Sequence, residues 1–239
     1  MEMSSIEQLW PGGPVLRQAP HFRLGTDTVL LADFAARGRH RRGIDLGCAS
    51  GSAMLLLLAH VPNLHMTGIE LVPEAAALAA ENMEINGLAA RSRVLCGDLR
   101  EHRTLLPAGC FDLVVANPPY YPAGSGKMSA DPRRAAARGE LTCTLADICE
   151  AAAWLCQTGG SICLVHKPER LSALFCALTA HGIEPKRLRL VSRRPESAPS
   201  LVLVEGRRGG KSGLVVEPPL LLQTEDGSES TELRRICRK

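Results

Sequence analysis

The residues whose types and order most directly suggest chemistry are Asn117-Pro118-Pro119-Tyr120, which follow an apolar run from Phe111 to Ala116. An amino group attached to an aromatic ring is a poor nucleophile because its lone pair is delocalised. An asparagine oxygen and the backbone carbonyl after it can accept both N–H bonds of such a group. That favours a more tetrahedral nitrogen with its lone pair directed outward. Proline lacks a backbone N–H and has a fixed φ, so two in succession hold the carbonyl in one rigid shape. Groups placed for the reacting geometry are the ones that accelerate the step. Tyr120, followed by Tyr121, offers a ring on which a flipped base can stack, worth about 1–3 kcal/mol. The pattern therefore points to transfer onto a planar nitrogen, with no dedicated general base required. The same residues can also form a plain turn that ends a strand. Pyrimidine carbon-5 chemistry calls for a cysteine nucleophile, and no Pro-Cys pair occurs in the chain.

Three acids stand in comparable places upstream. Asp45-Leu46-Gly47-Cys48-Ala49-Ser50-Gly51 joins a short apolar strand to an apolar helical run, and Gly47 and Gly51 let backbone approach a ligand without a Cβ in the way. Glu70 closes a second strand, where a carboxylate can accept both hydroxyls of a ribose. Asp98 comes just after a third and can accept an adenine amino group. Each has a plainer use as a cap for the element that follows. A nicotinamide dinucleotide is the competing ligand, since oxidoreductases of this architecture also carry an acid after the second strand, but the loop does not follow GxGxxG.

The elements that must position these residues alternate along the chain. Thr26 to Ala36 is amphipathic, with Thr26 or Asp27 suited to cap a helix. Strands are expected at Gly43–Leu46, Leu64–Leu71, Arg93–Cys96 and Phe111–Ala116, with helices at Met54–His60 and from Pro73 to Gly87. After a polar loop, a helix over Thr144–Gln157, a strand over Ser161–His166 and a helix over Pro168–His181 continue the pattern. Leu188–Val191 and Leu201–Val204 then alternate as a hairpin. Strands and helices in this order predict an α/β fold, a Rossmann-like doubly wound and mainly parallel sheet with an antiparallel hairpin at one edge.

Composition fits one domain. The 239 residues are 45% hydrophobic and 22% charged, with aromatics only 3%, so Leu, Val, Ile and Ala must fill the core. The longest apolar run falls well short of a membrane span and the start has no signal-peptide character, so a cytoplasmic protein without membrane contact is expected. The nine cysteines are scattered without a CxxC pair, which predicts no metal site and no disulfide framework.

Asp45 to Gly51, Glu70 and Asp98 resemble the first three motifs of class I S-adenosylmethionine-dependent methyltransferases, and Asn117 to Tyr120 resembles the motif of members that methylate amino or amide nitrogens. The resemblance implies a seven-stranded sheet and S-adenosylmethionine as cofactor. The glycine loop would then meet its methionine part, Glu70 its ribose and Asp98 its adenine. Ala49 stands where many members have glycine. Members that act on a glutamine of release factors place a helical domain ahead of the catalytic one, for which the stretch before the first strand has no room.

Phe22 to Ala32, Ala137 to Glu140 and Leu201 to Lys211 are similar to the bacterial enzymes that N6-methylate adenosine beside the anticodon of a valine tRNA. Gly139 departs from that pattern, as does the carboxyl end, which lacks a tyrosine common there. This similarity implies residues 1–42 as an extension covering the cofactor, with Thr26 and Asp27 near its methionine end, and residues 43–239 as the catalytic region. Cofactor binding would also involve Asn117. A monomer or weak homodimer acting on RNA, above all a tRNA anticodon loop, is expected. Ribosomal RNA, a protein glutamine or a non-catalytic binding module are the alternatives.

Net charge is only +3, but Lys186 to Lys211 holds eight basic residues (Lys186, Arg187, Arg189, Arg193, Arg194, Arg207, Arg208, Lys211) against two acids, Glu196 and Glu205. Such a patch can follow a phosphate backbone. Arg133, Arg134 and Arg138 form a second cluster after the tyrosines. Either cluster can also be a solvated face.

Overall fold

The computed structural model describes residues 5–20, 22–118 and 143–238. The Pro/Gly-rich start is the turn of a hairpin: Ser5–Gln8 (β1) and Val15–Gln18 (β2) pair antiparallel, and the Gly13 N–H donates to the Trp10 carbonyl at 2.8 Å. Helix α1 spans Thr26–Ala35, and its N-cap is Gly25 with no side-chain cap. The helix thus begins one residue early for Thr26 to cap it. Asp27 accepts the Thr28 N–H at 2.8 Å within the first turn instead.

Strands β3 (Arg42–Leu46) and β4 (His65–Glu70) alternate with α2 (Ser52–His60) and α3 (Pro73–Ile85). Pro73 starts α3, and Gly87, at φ +66°, supplies the left-handed residue that stops it. Strand β5 (Ser92–Cys96) is followed by a 3-10 turn at Leu99–Glu101 and a single helical turn, α4 (His102–Leu105), before β6 (Phe111–Ala116). Helix α5 (Leu145–Leu155) begins at a reciprocal cap, in which the Asp147 N–H donates to the Thr144 hydroxyl at 3.2 Å and the Thr144 N–H donates to the Asp147 carboxylate at 2.7 Å. The chain continues through β7 (Cys156–His166), α6 (Leu171–Ala180), β8 (Ile183–Ser192), β9 (Pro199–Arg208), β10 (Val215–Val216), β11 (Leu220–Leu221) and α7 (Thr231–Ile236).

The main sheet has the order β10-β8-β9-β7-β6-β3-β4-β5, with β11 also on β8. Strands β3 to β7 are mutually parallel, and β9 enters antiparallel between β7 and β8. The expected hairpin is present, with Leu188 opposite Val204 and Val191 opposite Leu201. Two expectations are corrected. The described sheet has nine strands where seven were expected, because β10 and β11 are two residues each, too short to show an alternation. The hairpin lies toward one side of the sheet as expected, but β10 and β11 pair on the outer side of β8, so the hairpin itself is not the outermost strand pair.

Period-two alternation explains the layering, because a strand covered on both faces sends successive apolar residues to opposite sides. Leu113, Val115, Cys163, Val165, Leu201 and Leu203 join one core with α1 and α2. Val114, Ala116, Ile162, Leu164, Val202 and Val204 join the other with α5 and α6. The parallel strands consequently end together at one edge, which collects the Asp45–Gly51 loop, Glu70, Asp98 and Asn117.

Candidate active site

The loop after β3 is held by the backbone of its neighbour: the Gly47 and Cys48 N–H groups both donate to the Ile69 carbonyl, at 2.9 and 3.0 Å. Gly47, Ala49 and Gly51 all have left-handed φ, +77°, +47° and +76°. At Gly51 a Cβ would come within 3.1 Å of the Ala79 Cβ, a tight approach that adds to the left-handed φ in favouring glycine. At Gly47 the Cβ direction is open, with nothing within 4 Å. Ala49 carries the strain of its conformation, and its N–H donates to Glu70 Oε2 at 2.8 Å.

Glu70 binds both sides of the crevice, its Oε1 accepting the Val72 N–H at 2.9 Å. Asp45 lies beneath the loop, 3% exposed, with no hydrogen-bond partner for its carboxyl group among the described residues. Burial, reinforced by the neighbouring charge of Glu70, pushes its pKa up to about 7. An open glycine face above a buried, unpaired carboxyl suits a ligand that brings a cationic end to the loop. Glu70 keeps lone pairs for hydroxyl donors beyond the two amides it already accepts. These residues fit the methionine and ribose parts of S-adenosylmethionine.

Asp98 is where a strand-end acid was expected, but it is engaged. It caps the 3-10 turn by accepting the Arg100 N–H at 2.9 Å, and both its oxygens accept from the Arg100 guanidinium. That guanidinium holds the Asp98 carboxyl below the usual range. An adenine amine approaching Asp98 therefore meets a carboxylate already shared with Arg100.

Asn117 follows the last residue of β6, and its Nδ2 donates to the Thr28 hydroxyl at 3.1 Å. The start of α1 is thus brought against the Asn-Pro-Pro segment, through Thr28. Thr26 is exposed and Asp27 half-buried on the same turn. Pro118 is buried beside Asn117. Pro119, Tyr120, Tyr121, Arg133, Arg134 and Arg138 lie outside the described residues, as do Ala137, Gly139 and Glu140.

Two residues that sequence reasoning passed over contribute here. Thr28 is one; Asn82 is the other. Asn82 is fully buried, its Oδ1 accepting the Arg17 N–H at 2.7 Å and its Nδ2 donating to the carbonyls of Arg17 at 3.0 Å and Ser50 at 2.9 Å. It ties the glycine loop to the N-terminal hairpin. Asn86, one turn on, repeats the pattern with the Val15 N–H and carbonyl, at 2.8 and 2.7 Å. The spacing of two asparagines by four residues on a helix was the available signal.

The basic hairpin does not form one patch. Arg187 stacks on Phe34, 3.7 Å from the ring centroid, and donates to Glu205 at 2.8 Å. Arg189 is 7% exposed and donates to both oxygens of Glu232 at 2.8 Å, which lowers the Glu232 pKa. Glu217, which accepts from Arg187, and Glu232 lie beyond the Lys186–Lys211 window, so the excess counted within it overstates the charge available. The remaining cations divide between opposite edges of the sheet. Arg193, donating to Gln223 at 3.0 Å, and Arg194 follow β8 at the edge of the candidate site. Arg207, which donates to the Gly159 carbonyl at 3.0 Å, Arg208, which donates to the Cys156 carbonyl, and Lys211 stand at the far edge. Among the described residues no His/Cys/Asp/Glu group is arranged to hold a metal ion, and no helix is long and apolar enough to cross a membrane.

A family model, the methyltransferase small domain, matches residues 22–172. A tRNA1(Val) (adenine(37)-N6)-methyltransferase of Porphyromonas gingivalis is 30% identical over 191 residues, 77% of this chain and 74% of the relative. An enzyme of the same name from Tolumonas auensis is 29% identical over 211 residues, covering 88% and 86%. Among solved structures, a predicted O-methyltransferase from Agrobacterium tumefaciens superposes with a TM-score of 0.73 at 22% identity, covering 89% of this chain and 96% of that one, which shows the shared fold. With the matched span running from the start of α1 past the Asn-Pro-Pro motif and β7, the chain belongs to the methyltransferase small domain family, the S-adenosylmethionine-dependent methyltransferases of the doubly wound class.

Proposed function

We propose that this protein transfers the methyl group of S-adenosylmethionine to the exocyclic N6 of an adenosine in a tRNA anticodon loop. The observation that carries the proposal is the placement of Asn117 at the carboxyl end of β6, anchored by Thr28, on the same sheet edge as Asp45 and Glu70. The names of the relatives supply the polymer. S-adenosylmethionine provides an electrophilic methyl on a sulfonium.

In this assignment Asp45, Gly47 and Gly51 receive the methionine part, Glu70 the ribose and Asp98 the adenine, with Thr26 and Asp27 near the methionine end. Asn117 is held through its Nδ2 by the Thr28 hydroxyl, and in this reading the Asn117 amide oxygen and the Pro118 carbonyl accept the two N–H bonds of the substrate amine. Together they favour the pyramidal nitrogen that attacks the methyl. Tyr120 and Tyr121 stack the splayed-out base, since single-stranded loops are where RNA bases can be unstacked and read. Arg133, Arg138, Arg193 and Arg194 are assigned to nearby phosphates. Residues 1–42 act as a cover and 43–239 as the catalytic region, in a monomeric or weakly dimeric cytoplasmic enzyme.

Nucleoside mass spectrometry of tRNA from a deletion strain tests this. N6-methyladenosine is expected to disappear and to return with the wild-type gene but not with Asn117→Ala. If no methylated nucleoside changes, the proposal fails.

A further inference from the structure

The amino edge of the sheet, opposite the candidate site, also gathers cations. Arg41 and Arg42 at the start of β3, Asn63 and His65 at the start of β4, and Arg91 before β5 line an open concavity of about 600 Å³ with Pro62. The strand register sets Arg42 beside His65, and Met66 beside Ser92, so Arg91 falls next in the row. Adjacent strands are about 4.8 Å apart, which makes this a close-spaced row of arginines with one imidazole between them.

Their environment differs from that of the hairpin arginines. Arg91 is fixed, donating to the carbonyls of Leu58 at 3.2 Å, Pro62 at 2.8 Å and Leu64 at 3.3 Å, where it closes the carboxyl end of α2. The acid of this neighbourhood, Asp112, is spent on backbone: it accepts the N–H groups of Arg41 at 3.0 Å and Arg42 at 3.2 Å. Its remaining ionic neighbour is His40, at 3.9 Å. Neither the Arg41 nor the Arg42 guanidinium has a hydrogen-bond or ion-pair partner among the described residues, and both residues are exposed. Planar guanidinium groups standing unneutralised in a concave surface are the donors that bind phosphate oxygens in pairs.

Gly43 pairs with Leu113, so this edge lies about five residues below Asn117 along β6, roughly 17 Å at ~3.3 Å per residue. We infer that the Arg41–Arg42–His65–Arg91 concavity is a second RNA contact, which takes backbone phosphates of the RNA body remote from the reacting nucleotide. This rests on RNA being the substrate. It predicts a protein that holds its polymer from both edges of the sheet, one end reading a loop and the other counting only charge.

The test is a charge reversal, Arg41→Glu with Arg42→Glu. Both side chains are exposed and Asp112 keeps its backbone partners, so an unchanged Tm is expected. Binding of labelled full-length tRNA is titrated across salt concentrations. The slope of log affinity against log salt is expected to become shallower by about 1.5, from two lost phosphate contacts, with affinity about tenfold or more weaker at low salt. Methylation of an isolated anticodon stem–loop stays within about twofold of wild type, and Arg41→Lys with Arg42→Lys recovers most of the slope. Wild-type slope and affinity on full-length tRNA overturn the inference. An equal loss on the stem–loop also overturns it, since the contact would then lie at the reacting end. If the protein methylates no RNA and the charge reversal still weakens tRNA binding, the surface stands and the substrate assignment falls.

Discussion

Two charged regions, the loop end of β3, β4 and β5 and the β8–β9 hairpin, look equally promising along the chain but fold to opposite outcomes. The acids of the first are separated by about 25 residues each, yet parallel strands bring Asp45, Glu70 and Asp98 to one edge. The bases of the second sit within one short window, yet antiparallel pairing throws Arg193 and Arg194 to one edge and Arg207 and Arg208 to the other. Arg187 and Arg189 between them are spent on Glu205, Glu217 and Glu232. Proximity in sequence is a poor guide to a shared surface when the chain reverses. Equivalent position at parallel strand ends is a good one.

The largest expected effect lies at the acid-rich edge. Asn117→Ala should lower turnover by about 10²-fold or more, as loss of a group aimed at the reacting geometry does, with S-adenosylmethionine affinity nearly unchanged. Turnover by labelled-methyl transfer and affinity by calorimetry separate the two. Wild-type turnover would remove Asn117 from the chemistry and erase the distinction between the regions.

Next comes the hairpin. Arg189→Ala leaves Glu232 without its bidentate partner and the Pro218 carbonyl without its donor, and should destabilise the fold by about 1–2 kcal/mol in urea titrations, since Glu232 is partly solvated. Arg207→Ala, at a half-exposed pair, should change stability by less than about 1 kcal/mol. Similar losses for both would mean that burial does not sort these cations.

Asp45 gives a pH dependence. Its folded pKa, about 7, lies above the unfolded carboxyl range, so the native state holds the proton more tightly. The resulting stabilisation is fully present below about pH 4 and is lost as pH rises through 7, on the order of a few kcal/mol. Asp45→Asn should flatten that decline between about pH 4 and pH 7. A decline of unaltered slope in the variant would assign it to another group.

The smallest effect belongs to Ala49→Gly. Relief of a left-handed alanine is worth about 1–2 kcal/mol, and the greater freedom of glycine in the unfolded chain offsets about half of it. A net gain of roughly 0.5 kcal/mol is expected in the same urea titrations, and a loss would show that the Ala49 methyl contributes packing.

How much could be read beforehand follows from the same contrast. Asp45, Glu70 and Asn117 were legible because strand ends are marked by apolar runs, and a doubly wound order then places them. The shared grip of Arg100 on Asp98 was not, because a neighbour two residues away leaves no periodic trace. Thr28 was missed because its partner is 89 positions distant, and the hydroxyl looked like one more polar residue in a first turn. Glu217 and Glu232 fell outside the window in which charge was counted. Strands β10 and β11, beside Pro218 and Pro219, were too short for any pattern.

Asn82 has one more consequence. Because a single buried amide bonds Arg17 on one side and Ser50 on the other, fraying of the N-terminal hairpin leaves the Asn82 oxygen and one of its N–H groups unpaired beside the glycine loop. The hairpin and the glycine loop should therefore open as one cooperative unit, with their amides exchanging with solvent at a common rate. The first strand pair then acts as a clasp on the glycine loop, applied from β2 through the far side of α3.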